Sequence, residues 1–200
     1  MHNKTIKIAL VGQPNVGKSM LINSISNARL RVGNFSGVTV AKEEVFLKYK
    51  DYQIQITDLP GAYSLNDYTL EEKVTKEFLD KEDYDIILNV LDSTNLQRNL
   101  LLTSELLALD KKMILALNMS DEADKELITI DELQLSKILG KPCIKTSAAK
   151  KSGIDRLLNE IVSKFESEKL PTKLCFSDVI EEEVETISAL LHDCGYKTTQ

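Results

Sequence analysis

With 200 residues, 42% of them hydrophobic and 28% charged, the chain can bury one substantial domain and at most a small appendage. A formal net charge of -6 excludes a general basic field for nucleic acid or an anionic membrane surface, so any phosphate must be bound locally. Cys143, Cys175 and Cys194 are scattered and accompanied only by His2 and His192, which argues against a disulfide framework or a zinc site. No apolar run approaches the ~20 residues that span a bilayer, and the short run Ile8 to Val11 is too brief for a signal peptide. The expectation is a chain that does not itself enter a membrane.

The first predicted strand, Ile6 to Val11, runs into Gly12-Gln-Pro-Asn-Val-Gly-Lys-Ser19 and then into a helix over Lys18 to Ser26. A G-x-x-x-x-G-K-[ST] stretch between strand and helix has the context of a phosphate-binding loop. Gly12 and Gly17 let the backbone wrap a phosphate, and the amides of Asn15, Val16, Gly17 and Lys18 face its oxygens with the helix dipole behind them. Lys18 reaches the β- and γ-phosphates, and the Ser19 hydroxyl takes one Mg²⁺ position. Next comes a glycine-containing loop, Arg31 to Val40, whose Thr39 offers a second hydroxyl to Mg²⁺ and an amide to a γ-phosphate.

Glu43 to Tyr49 and Tyr52 to Thr57 alternate about Lys50-Asp51, which predicts a hairpin and an antiparallel edge strand. Asp58-Leu-Pro-Gly61 follows at once. Asp58 is placed to hold Mg²⁺ through water, and Gly61 to bring its amide to the γ-phosphate, so that the segment from Ala62 to Phe78 senses that phosphate. Thr69-x-x-Glu72 has capping-box spacing.

A strand over Ile86 to Leu91 and a helix over Leu96 to Leu109 precede the strand Met113 to Leu117, which ends in Asn118-Met-Ser-Asp121. Asn and Asp at a strand end are ordinary turn chemistry on one reading and ligand readers on the other. Downstream of the phosphate loop, the second reading has specific content. Asp121 can accept from guanine N1-H and N2-H₂, whereas adenine would leave a buried carboxylate unpaired. Asn118 supports the site by bonding N7 or the neighbouring loops. Thr129-x-x-Glu132 predicts the cap of a helix over Asp131 to Leu139 that Gly140 ends. After a short strand around Cys143-Ile144 comes Thr146-Ser147-Ala148, where the Ala148 amide is placed to donate to guanine O6. Ile154 to Phe165 reads as a helix. Beyond Pro171, Val179, Ile180, Val184, Ile187, Leu191 and Cys194 line one face of a further helix, either packed on the domain or beginning a helical subdomain.

The ordered set GQPNVGKS, Thr39, DLPG, NMSD and SA resembles the five guanine-nucleotide motifs of small Ras-like GTP-binding domains. VGNFSGVTVAK, DLPGAYSLNDYTLEEKV, DSTNLQRNLLLTSELL and ALNMSDEA are similar, more specifically, to the N-terminal cytosolic G domain of the ferrous iron transport protein B (FeoB) family. The resemblance implies a Ras-like P-loop GTPase fold: a mostly parallel six-stranded α/β sheet with one antiparallel edge strand and helices on both faces. It divides the chain into a G domain over 1–170 and a helical segment over 171–200. It also implies a GTPase that uses GTP/GDP, Mg²⁺ and K⁺ and controls Fe²⁺ uptake. The implied partners are a transmembrane permease region of the same full-length protein and a small companion protein of the ferrous system, at the cytoplasmic face of a bacterial inner membrane.

Three residues, Ala62, Tyr63 and Met119, depart from the common pattern. Ala62 and Tyr63 follow the DLPG glycine, and neither can orient an attacking water as the glutamine of Ras does. Asn15 resembles the asparagine by which potassium-activated GTPases hold K⁺, which makes Lys18, Thr39, Gly61 and Asn15 the implied catalytic set and hydrolysis slow. Met119 stands where most guanine motifs have lysine. Arg29 and Arg31 as cis fingers, and Glu71 or Glu72 as water-ordering groups, compete with simpler roles as solvated charges and helix caps. The rival functions are an Era-like factor for ribosome assembly or tRNA modification and an occupancy module with incidental hydrolysis.

Overall fold

The computed structural model describes residues 4–25, 29–35 and 38–167. In chain order the elements are β1 (Lys4–Gly12), α1 (Lys18–Ser24), β2 (Arg29–Asn34), β3 (Ala41–Tyr49), β4 (Tyr52–Asp58), α2 (Leu70–Lys81), β5 (Ile86–Asp92), α3 (Leu96–Leu107), β6 (Met113–Asn118), α4 (Ser120–Lys125), α5 (Glu132–Leu139), β7 (Cys143–Lys145) and α6 (Ile154–Glu166). The strands form one sheet in the order β2-β3-β4-β1-β5-β6-β7. Pairings β1–β4, β1–β5, β5–β6 and β6–β7 are parallel, and β2–β3 and β3–β4 antiparallel.

The mostly parallel α/β sheet expected from sequence is present, with seven strands rather than six. The added strand is β2, because the expected loop from Arg31 to Val40 is extended as far as Asn34 and pairs with β3. β5 and β6 are buried on both faces because helices cover them, and they are apolar apart from Asn89 and the polar residues Asp92 and Asn118 at their ends. On one face Ile6, Ile8, Leu10, Ile54 and Ile56 pack with Leu21 of α1 and with Leu157 and Ile161 of α6. On the other Ala9, Val11, Ile87 and Leu115 pack with Val74 and Phe78 of α2 and with Leu102 and Leu106 of α3. Burying each of the Val, Leu, Ile and Phe side chains contributes about 1.5–3 kcal/mol, and the two layers fix the strand ends where the motifs lie.

Local signals were partly realised. Thr69 caps α2, its Oγ1 accepting the Glu72 N-H at 3.1 Å, but the glutamate does not return the bond: its Oε1 instead takes the Ser64 N-H at 3.2 Å. α5 is capped by Asp131, which accepts from Leu133 and Gln134, and not by the expected Thr129; Glu132 is freed to accept the Lys145 N-H of β7 at 2.9 Å. Gly140 ends α5 in the left-handed conformation, as expected.

Where α6 ends, Lys112 Nζ donates to the Phe165 and Ser167 carbonyls at 3.1 and 2.8 Å, and the Tyr52 hydroxyl donates to Glu166. Among the described residues no helix is long and apolar enough to cross a membrane. The segment 171–200, including its expected amphipathic helix, Gly195 and His192, lies outside the described residues.

Candidate nucleotide site

The phosphate-loop glycines are required by contact. A Cβ on Gly12 would lie 2.6 Å from the Val90 carbonyl oxygen, and one on Gly17, whose φ is +85°, would lie 2.5 Å from Asn118 Nδ2. Asn15 also adopts a positive φ of 67° and is exposed, as is Ser19 in the first turn of α1. Val16 is buried, with its carbonyl turned to Asn118.

The ends of β6 and β7 are laced to that loop through one side chain. Asn118, 1% exposed, donates from Nδ2 to the Val16 carbonyl at 3.0 Å, while its Oδ1 accepts the Ala148 N-H at 3.1 Å and the Thr146 hydroxyl at 3.4 Å. Thr146 completes the lacing, donating its N-H to the Leu117 carbonyl and accepting the Ser120 N-H. Of the two roles expected for Asn118, the structure shows the bonding of neighbouring loops. The Ala148 amide differs from expectation. It is spent on Asn118 and not held open for a base, because a buried N-H takes the acceptor within reach.

α4 was not foreseen, and it changes how Asp121 is presented. Met119 is its left-handed N-cap, with φ 57°, and its terminal carbon lies 3.5 Å from where a Gly17 Cβ would be, so the thioether covers the phosphate loop. Asp121 in the first turn is 7% exposed. A hydrogen bond from Ser147, with help from its own amide and from Lys150 and Lys125, holds its carboxyl below the usual range against the opposing effect of burial. Ser147 itself is fully buried, its Oγ accepting the Lys150 N-H at 3.1 Å.

Asp58 ends β4 beside Lys18. Burial raises its carboxyl to about 6, against the pull of the Lys18 charge, and Glu43 adds to the rise. Its Oδ1 is enclosed and has no hydrogen-bond partner among the described residues. Burial likewise lowers the Lys18 ammonium, and Asp58 opposes that. A buried carboxylate oxygen left unpaired beside the Ser19 helix is a donor set suited to a hard divalent cation.

Gly61 sits against the phosphate loop, where a Cβ would meet Pro14 at 3.0 Å, and the Ala62 N-H donates to the Gly12 carbonyl at 3.3 Å. Thr39 is not drawn in. It is exposed on a turn closed by the Phe35 N-H donating to the Val40 carbonyl at 3.0 Å, and no hydrogen bond among the described residues joins it to Ser19 or Asp58. Arg31 lies over the Phe46 ring on the sheet edge, the placement of a solvated edge charge, while the Arg29 side chain lies outside the described residues. Sequence reasoning missed Thr146, Gln13 and the α3 residues Arg98 and Glu105. Each lies inside a quoted motif or stretch, but their roles depend on tertiary contacts that the sequence does not show.

A family model, ferrous iron transport protein B, matches residues 6–161. The Fe(2+) transporter FeoB of Helicobacter pylori is 64% identical over 159 residues, covering 80% of this chain and 24% of the relative. An Fe(2+) transport protein A/Fe(2+) transporter FeoB fusion protein of Porphyromonas gingivalis is 38% identical over 196 residues, 96% of this chain and 23% of the relative. The chain thus spans about a quarter of the length of these relatives. The crystallised cytosolic domain of T. maritima FeoB superposes in a GDP form with TM-score 0.87 at 37% identity, over 94% of this chain and 75% of that one, and in a GMPPNP form with TM-score 0.85. The chain belongs to the ferrous iron transport protein B family, within the part of it that carries the guanine-nucleotide motifs.

Proposed function

We propose that this chain binds GTP with Mg²⁺, hydrolyses it slowly with activation by K⁺, and in a longer protein governs Fe²⁺ passage through a membrane region. The observation that carries the reading is Asn118, which ties the phosphate loop to the Thr146–Ala148 turn and so fixes Asp121 relative to Lys18. Support from relatives is the GDP and GMPPNP forms of the T. maritima domain and the transporter names of the longer proteins.

Asp121 accepts from the guanine edge, with Ser147 and Ala148 beside it. Lys18 and the amides of Asn15 to Lys18 hold the phosphates, Gly12 and Gly17 allowing the approach. Ser19, Thr39 and, through water, Asp58 would hold Mg²⁺, which supplies positive charge to the β- and γ-phosphate oxygens. Thr39 has to move inward for this, so loop closure accompanies triphosphate binding. Asn15 would hold K⁺, which adds positive charge where other GTPases insert arginine. Water bonds to the γ-phosphorus as the bond to the β,γ-bridging oxygen breaks; GDP leaves with that electron pair, and the water proton ends on inorganic phosphate. Gly61, among the described residues given no acceptor for its N-H, is free to report the γ-phosphate. In the intact protein the membrane region would read that state at the cytoplasmic face, with a small companion protein as a further partner; the Porphyromonas fusion supports that pairing.

Single-turnover hydrolysis in KCl against NaCl tests the enzyme reading, and equal, negligible rates in both would sink it. Titrating GTP and ATP against wild type and Asp121→Ala tests the base. The variant should lose about ten- to hundredfold in preference for GTP.

A further inference from the structure

Ala62 is buried, only 1% exposed, and Tyr63 is turned outward under the Arg98 guanidinium, 4.8 Å from the ring, so neither side chain faces the phosphate loop with a hydrogen-bonding group. The Ser64 hydroxyl is in turn bonded to the Glu72 carboxylate, so on the GTPase reading the orienting of the attacking water is assigned to backbone groups between Gly61 and Leu65. A backbone can do this only if it is held still, because catalytic groups lose effect when displaced by about 1 Å.

Three tethers hold this backbone. The Ala62 N-H goes to the Gly12 carbonyl, the Ser64 N-H to Glu72, and the Leu65 N-H to Glu105 Oε2 at 2.5 Å. Glu72 lies on the helix this segment leads into, so it moves with it. Glu105 belongs to α3, which is anchored independently. Buried Gln13, inside the phosphate loop, donates from Nε2 to the Arg98 carbonyl at 2.8 Å, and Asn89 of β5 donates to the Thr103 hydroxyl at 2.8 Å. Arg98 and Glu105 lie two turns apart on one face of α3 and take the segment at Tyr63 and Leu65. The phosphate loop, α3 and the segment after Gly61 thus close a ring in which Glu105 is the charged link.

We infer that Glu105 is a positioning residue for hydrolysis: by holding the Leu65 amide it fixes the backbone that replaces the missing water-orienting side chain. The inference rests on the GTPase reading above. A bond to a charged acceptor is about twice as strong as a neutral one, so its loss should be legible in the rate.

The test is single-turnover GTP hydrolysis in KCl by wild type, Glu105→Ala and Glu105→Gln, with nucleotide affinities and hydrogen exchange at the Leu65 amide. Expected is a roughly tenfold slower step at saturating GTP in the alanine variant, with GTP and GDP affinities within about twofold of wild type. The glutamine variant, which keeps an acceptor oxygen, should recover most of the rate. Leu65 exchange should quicken with alanine and not with glutamine. An unchanged rate in Glu105→Ala despite faster Leu65 exchange overturns the inference. Faster hydrolysis also overturns it, since the bond would then be a brake, and so does a loss of affinity equal to the loss of rate. A wild type that fails to turn over GTP removes the GTPase reading together with this one, whereas an active wild type with indifferent variants removes this one alone.

Discussion

On the proposed base-reading side, Asn118, Thr146, Ser147 and Ala148 are all buried; Asn118 bonds Thr146, Ala148 and the phosphate loop, and Ser147 bonds Asp121 and the Lys150 N-H. On the phosphate-sensing side, Asn15, Ser19 and Thr39 are exposed, and among the described residues no hydrogen bond fixes their side chains. On the proposed reading the base is the same whether two or three phosphates follow it, so its reader can be built in advance. A group that reports the third phosphate must have somewhere to go when that phosphate leaves, and pre-bonding would remove the difference it signals.

The contrast breaks most sharply at Asn118. Asn118→Ala leaves the Val16 carbonyl and the Ala148 N-H unpaired in a buried place, at a cost of about 3 kcal/mol. Thermal unfolding should show a fall of roughly 6 to 12 °C in melting temperature, together with loss of GDP binding. A variant that melts like wild type would mean that the lacing is ornamental.

Asp58, beside Lys18 on the phosphate side, gives the next effect. Its carboxyl keeps its proton up to about 6 in the fold, against an ordinary value of 3.8. Its contribution to metal-free stability is therefore present below 3.8 and is lost as pH rises through about 6. A bound cation favours the ionised form, so Mg²⁺-dependent nucleotide affinity should fall below about pH 6, by up to about tenfold per unit. Asp58→Asn should flatten the profile, and a wild-type profile flat from pH 7 to 5 would contradict the assignment.

The smallest effect is expected at Met119, where the reader touches the phosphate loop. Methionine keeps the apolar cover but carries no charge to tie the site together, so Met119→Lys should slow GDP release several-fold in stopped flow. Unchanged release would place the exchange rate elsewhere.

The strand-loop-helix frame and the motif order were legible because apolar periodicity and glycine spacing are local. What escaped was set by neighbours. β2 alternates charged and apolar residues only from Arg29 to Val32 before Gly33 and Asn34 break the pattern, and it has β3 on only one side, so its signal is too short to separate a strand from a loop. α4 buries only Asp121 and Ala123 and so shows no helical stripe. Thr129-x-x-Glu132 has the spacing of a cap, yet Asp131 is nearer the first turn and accepts from two amides there, which outweighed the pattern. The Ala148 amide was assigned by motif, but its hydrogen follows the closest buried acceptor.

Tyr52 and Asp58 are the first and last residues of β4, while Lys112 immediately precedes β6, which ends in Asn118. The grips of Tyr52 and Lys112 on the end of α6 therefore sit at the feet of two strands whose heads carry candidate ligands. A pull on Ser167 would thus meet the sheet first at those two grips, at the ends of β4 and β6 opposite Asp58 and Asn118.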